Sequence, residues 1–105
     1  MLHSLIRMPK LISVTPSSDP DKKLDVKLEQ DSGRTKTIRI GQKGADDFTK
    51  TRDEEQKDRY LTRHRAREDW TQSGILSSGF WSRYLLWNKP TLKESITDVK
   101  KRFDV

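Results

Sequence analysis

The residue types in this chain that could do chemistry are few. The only histidines are His3 and His64. His64 and Glu68 stand four apart, a separation that would put imidazole and carboxylate on one helix face, where they could share a metal ion. No third ligand and no HExxH pattern accompanies them. The expectation is therefore a His64 ring packed beside Tyr60 with a hydrogen-bonded nitrogen, and neither a metal nor a cofactor. Asp46, Asp47, Asp53, Glu54, Glu55 and Asp58 could pair for acid–base work. They flank or open a helical pattern instead, where negative charge complements the helix N-terminus. Serines occur without a GxSxG elbow or an SxxK pair. With no cysteine there is no thiol nucleophile, disulfide framework or cysteine-ligated zinc. No enzyme activity is expected.

Cations form the other candidate set. Gly41-Gln42-Lys43-Gly44 matches the bare GxxG that clamps nucleotide backbone in some RNA-binding domains. Here it follows a strand rather than joining two helices. Arg59, Arg63 and Arg67 recur every fourth residue and form a basic helical stripe, helped by Arg52 and Arg65. Glu55, four before Arg59, is placed to neutralise part of it, and Glu68 and Asp69 close the same segment. Lys43, Arg59, Arg63 and Arg67 are thus the residues expected to touch a partner or nucleic acid. Phe80, Trp81, Tyr84 and Trp87 could stack bases, but their helical spacing beside Leu85 and Leu86 reads as packing.

The elements that must position these groups come from a lean composition. Of 105 residues, 36% are charged and 30% hydrophobic, and the formal net charge is +6. Leu, Ile, Val and Phe number 23, about 22%, just above the level at which disorder becomes the default. There is too little apolar material to wall a large cleft, and a chain this lean often gains stability from a partner. The positive excess is spread out: 11 basic and 7 acidic residues through Arg52, then 11 and 9. No apolar run approaches the ~18 residues of a membrane span.

The reading is a single α+β domain over residues 8–105 behind an N-terminal arm, 1–7, whose Leu2, Leu5 and Ile6 could dock on a neighbour. Residues 15–23 are polar and proline-punctuated, a loop by composition. Leu24, Val26 and Leu28 alternate with polar residues, and Ile38 and Ile40 repeat the pattern after a Gly33 turn. This predicts a small antiparallel sheet of two or three strands within 10–41. Three helices should follow, near 52–69, 78–88 and 91–103. Thr51-x-x-Glu54, Asp53-x-x-Gln56 and Thr91-x-x-Glu94 have capping-box spacing. The expected core is Tyr60, His64, Phe80, Tyr84, Leu85, Trp87, Ile96, Val99 and Phe103 over Val26 and Ile38.

Four blocks carry a resemblance: Ile40 through Thr49, Tyr60-Leu61-Thr62-Arg63-His64, Gly79 through Pro90, and Ser95-Ile96 through Arg102-Phe103. Through them the chain resembles a small uncharacterised domain family of large DNA viruses of algae and protists. Ile40 stands where that pattern has an aromatic, and Phe48 where it has Tyr. The family has no established active site to transfer. The resemblance implies a virion protein made in the host cytoplasm or nucleus, most simply a minor capsid protein cementing larger capsid subunits. Its partners would be other virion proteins, met through the 1–7 arm and the 15–23 loop. A basic nucleic-acid-binding protein of the virus core is the alternative.

Overall fold

The computed structural model describes residues 9–105; the arm residues Leu2, Leu5 and Ile6 lie outside them. The fold is α+β, with a three-stranded antiparallel meander followed by helices. β1 spans Lys10–Pro16, β2 Lys22–Glu29 and β3 Thr35–Gln42, in spatial order β1-β2-β3. Period-two alternation decides which face is wet. Val14, Val26 and Ile38 lie in register, as do Leu24 and Ile40, and Val26, Leu28, Ile38 and Ile40 are buried. On the other face Thr15, Asp25 and Arg39 align, and the Arg39 Nε lies 3.4 Å from the Asp25 carboxylate. A bulge between Leu11 and Ser13 leaves Ile12 turned out and 48% exposed.

The loop expected over 15–23 is shorter, because β1 runs to Pro16 and β2 begins at Lys22. Asp25 organises it: Ser17 Oγ donates to Asp25 Oδ1 at 2.6 Å, and Ser18 donates through N and Oγ to Oδ2. The Ser17 hydrogen bond leads in holding the Asp25 carboxyl below its ordinary value of 3.8.

The helix expected over 52–69 is the shorter α2, Glu54–Arg65, and a one-turn helix that was not expected, α1, Phe48–Thr51, precedes it. Asp47 caps α1 and Asp53 caps α2. Arg52 between them takes the left-handed conformation, φ 54°, which ends the first helix before the second starts. α2 stops at Arg65, where Arg67 N and Glu68 N both close onto His64 O, and the Asp69 side chain organises the turn that follows. Its carboxylate accepts from Thr71 N, Thr71 Oγ1 and Ser73 Oγ. The helix expected over 78–88 is α3, Ser78–Trp81, running into a π-helical turn, Ser82–Leu86, closed by Trp87 N donating to Ser82 O at 3.1 Å. α4 spans Leu92–Phe103; Thr91 Oγ1 accepts from Glu94 N and donates to Glu94 Oε1 at 2.8 Å.

α3 and the π turn pack on β3, and α4 packs on the π turn. The core is wider than the sequence suggests. Leu28, Ile40, Phe48, Ile75, Trp81 and Leu86 are also buried, whereas Ile96 and Phe103 are half-buried at its margin, and His64 is half-buried against Tyr60. Trp81 is fully buried and its Nε1 donates to the Ile75 carbonyl at 2.7 Å, while Tyr84 OH reaches Trp70 O at 2.8 Å. These two bonds tie the irregular connector 66–77 to the core.

Two glycines in this region give a test of packing. A Cβ at Gly74 would fall 1.9 Å from the backbone oxygen of Asp69, whereas one at Gly79 would meet only the Glu68 carboxylate, at 1.8 Å. A carboxylate can swing away and a backbone oxygen cannot. Gly74→Ala is therefore expected to cost roughly 2 kcal/mol more than Gly79→Ala, in the range of overpacked sites. Urea melts of the two variants measure it; equal midpoints would contradict the packing described.

Candidate functional site

The Gly41-Gln42-Lys43-Gly44 segment carries the end of β3 into a turn. Lys43 N donates to Asp21 O at 2.9 Å and Ala45 N to Gln42 O at 3.0 Å, so these amides are already used. Gly41 has φ +76°, and a Cβ there would press on Leu86 and Lys23 at 2.9 Å. The Lys43 side chain is exposed at this turn.

Behind the turn, Lys23 Nζ reaches the Ala45 carbonyl and the Asp47 carboxylate, the latter at 2.5 Å. Asp47 Oδ1 also accepts from Thr49 N and Lys50 N. Burial works against ionisation of Asp47, but the hydrogen bonds from Lys23 and Thr49 outweigh it and lower its pKa. The Asp-Phe-Thr triplet therefore pins α1 to β2.

α2 presents Arg59 and Arg63, which with Asp58 and Thr62 line an open groove. The expected neutralisation by Glu55 is not formed: among the described residues neither arginine makes an ion pair. Arg67 leaves the stripe, since α2 ends at Arg65 and Arg67 N closes a turn onto His64 O at 3.0 Å. The structure thus groups Arg59 with Arg63, and Lys43 stands on the strand-exit turn.

On α2's inner side three rings stack. Trp87 and Tyr60 are 4.4 Å apart and near parallel, and Tyr60 and His64 are 4.2 Å apart. His64 packs on Tyr60 as expected, but without the expected hydrogen bond. Its Nδ1 is covered and lies 4.0 Å from Glu68 Oε2, outside hydrogen-bond range. Burial, then the Glu68 charge, pushes the Tyr60 hydroxyl up to about 12. Among the described residues no group of three or more His, Asp or Glu side chains could hold a metal ion.

The segment Trp87–Pro90 is held by three cations. Arg83 Nη1 donates to Trp87 O at 2.7 Å, Lys57 Nζ to Asn88 O at 2.7 Å and Arg52 Nε to Pro90 O at 3.2 Å. Asn88 is buried, and its Nδ2 bonds Tyr84 O at 3.2 Å and Asp98 Oδ2 at 2.8 Å. Arg52, one of the expected basic helpers, is thus a structural latch.

A lysine group that sequence reasoning passed over lies beyond this segment. Lys89, Lys93 and Lys101 line an open depression with Glu94, Thr97 and Asp98. Its signal was the four-residue step from 89 to 93 and the eight from 93 to 101.

Residues 12–64, 53 of the 105, match the model of a family of unknown function, DUF5754. The chain belongs to that family. No curated protein and no solved structure matches it. The DUF5754 segment runs from the β1 bulge at Ile12 to His64 at the end of the ring stack. It therefore contains the Gly41 turn, the Lys23–Asp47 pair and the Arg59–Arg63 groove. Among the described residues of this DUF5754 protein, no helix is long and apolar enough to cross a membrane.

Proposed function

We propose that the chain is a non-catalytic structural component of a virion, a minor capsid protein of a large DNA virus that holds larger capsid subunits together through protein contacts. The observation that carries this reading is a pair of exposed apolar side chains. Leu76, 43% exposed, lines a depression of about 370 Å3 with Pro9, Gln30, Asp31 and Ser32. Ile12 is the other large hydrophobic residue left exposed among the described residues. Leu76 in its polar-rimmed depression is a place where an apolar side chain of a protein partner could seat. The carboxylates support it too: Asp47 and Asp53 cap helices, and Asp25, Asp69 and Asp98 hold turns and ion pairs. The viral setting rests on the resemblance of the Ile40–Thr49 and Gly79–Pro90 blocks.

A nucleic-acid-binding core protein gains from Arg59 and Arg63, which make no ion pair among the described residues, and loses from Arg67 lying past the end of α2. Fractionated virions separate the two. The chain is expected in the shell fraction, and Leu76→Asp with Ile12→Asp should reduce its incorporation several-fold without lowering its melting temperature. Removing residues 1–7 should do the same. Recovery only with the genome-containing core would overturn the reading.

A further inference from the structure

The α4 side of the molecule carries positive charge that the fold does not use. Lys93, Thr97 and Lys101 succeed one another at four-residue steps, so they share one side of the helix. With Lys89 they border an open depression of about 620 Å3. Of the two acidic residues there, only Asp98 has a cationic partner among the described residues. Glu94 Oε1 takes the Thr91 hydroxyl, while Asp98 takes Asn88 Nδ2 at 2.8 Å and Arg102 Nη2 at 3.2 Å. Among the described residues Lys89, Lys93 and Lys101 make no ion pair, and all three are exposed. Lys57 and Arg83 add charge from behind, anchored on the Asn88 and Trp87 carbonyls. Burial first, and then the nearby charges of Arg83 and Lys89, lowers the Lys57 pKa.

We propose that the face formed by Lys89, Lys93 and Lys101 docks the phosphate backbone of double-stranded nucleic acid. A protein partner fits poorly, because lysine is depleted at protein interfaces and such contacts centre on aromatic or apolar anchors. The six residues lining the depression include none. A single strand fits poorly as well, since it is held by bases stacked on aromatic rings. All eight aromatic side chains are buried or half-buried; of the two half-buried ones, Trp70 is covered by Arg83, and Phe103 packs on Phe80 and Tyr84. What remains is a row of hydrated point charges facing a dense line of phosphates, a contact that is independent of base sequence. The inference stands independently of the assembly reading above.

Fluorescence anisotropy of the full chain with a labelled duplex of about 20 base pairs tests it. Neutralising three phosphates at about −0.9 each gives a slope of log K against log salt near −2.7, or about 40-fold weaker binding from 50 to 200 mM salt. The variant Lys89→Gln, Lys93→Gln, Lys101→Gln should bring that slope close to zero and weaken binding at least about tenfold at the lower salt. Its melting temperature should match the parent's, because all three lysines are exposed. The variant Arg59→Gln, Arg63→Gln should bind as the parent does. Absence of duplex binding at the lower salt, an unchanged slope in the triple-lysine variant, or a loss that follows the arginine pair would each overturn the assignment. So would tighter binding of a single strand of equal length, or competition by polyglutamate as effective as by duplex.

Discussion

Trp87→Ala is expected to leave the domain largely unfolded at 37 °C. The indole is buried, 9% exposed, and lies parallel to Tyr60 at 4.4 Å, with His64 on the far side of the same stack. Truncating a core tryptophan costs about 3–5 kcal/mol in lost burial and residual cavity. The lost stacking on Tyr60 accounts for about 0.5–1.5 kcal/mol of that. A domain of this size has only about 5–15 kcal/mol in total. Trp87→Phe retains a ring against Tyr60 and should cost about half as much. Trp81→Ala should be at least as damaging as Trp87→Ala, since Trp81 is fully buried and the Ile75 carbonyl would lose its donor. Thermal denaturation followed by circular dichroism gives the order. Parental stability in Trp87→Ala would mean that the ring serves a surface contact and not the core.

The sheet was legible because alternation is a local property: Leu24, Val26, Leu28, Ile38 and Ile40 each announce their face by parity alone. Three of the four helices among the described residues were legible in existence and order, and less so in their ends; the one-turn α1 was not. α2 stops at Arg65, four residues before the Asp69 turn onto Thr71 and Ser73, and so Arg67 falls past the helix end. The π turn had no sequence signature, because Ser82 to Trp87 is apolar on most sides and suits any helical period. Trp81 and Ile75 were underrated for a related reason, since the bond joining them crosses an irregular connector. The latch over Trp87–Pro90 uses main-chain carbonyls, which every residue has. Nothing in the sequence could single them out. The α4 lysines did have a readable spacing, but the apolar face Leu92, Ile96, Val99 and Phe103 dominates that segment.

Asp47 should govern much of the acid sensitivity of the fold. Its carboxylate is 4% exposed, caps α1 and receives the Lys23 ammonium at 2.5 Å. Its pKa is held below the ordinary 3.8, so the native state favours the ionised form. The stabilisation is fully present above the unfolded value, about 3.9, and is lost as pH falls through the lower folded value. Asp98 behaves alike: burial raises its pKa, but hydrogen bonding from Asn88 and the charge and hydrogen bonds of Arg102 bring it lower. The parent should therefore melt at progressively lower temperature between about pH 5 and pH 2. Asp47→Ala removes the cap and leaves the half-buried Lys23 ammonium with the Ala45 carbonyl alone, a loss of roughly 2 kcal/mol at pH 7 from cap and ion pair together. The deficit should shrink as pH falls, because protonation removes the same interaction from the parent. Lys23→Met, which keeps the aliphatic stem against Gly41 and Leu86, should recover part of the loss in the double variant. A deficit that stays constant from pH 7 to pH 2 would show that Asp47 acts through packing, with its charge irrelevant to the joint between sheet and helix.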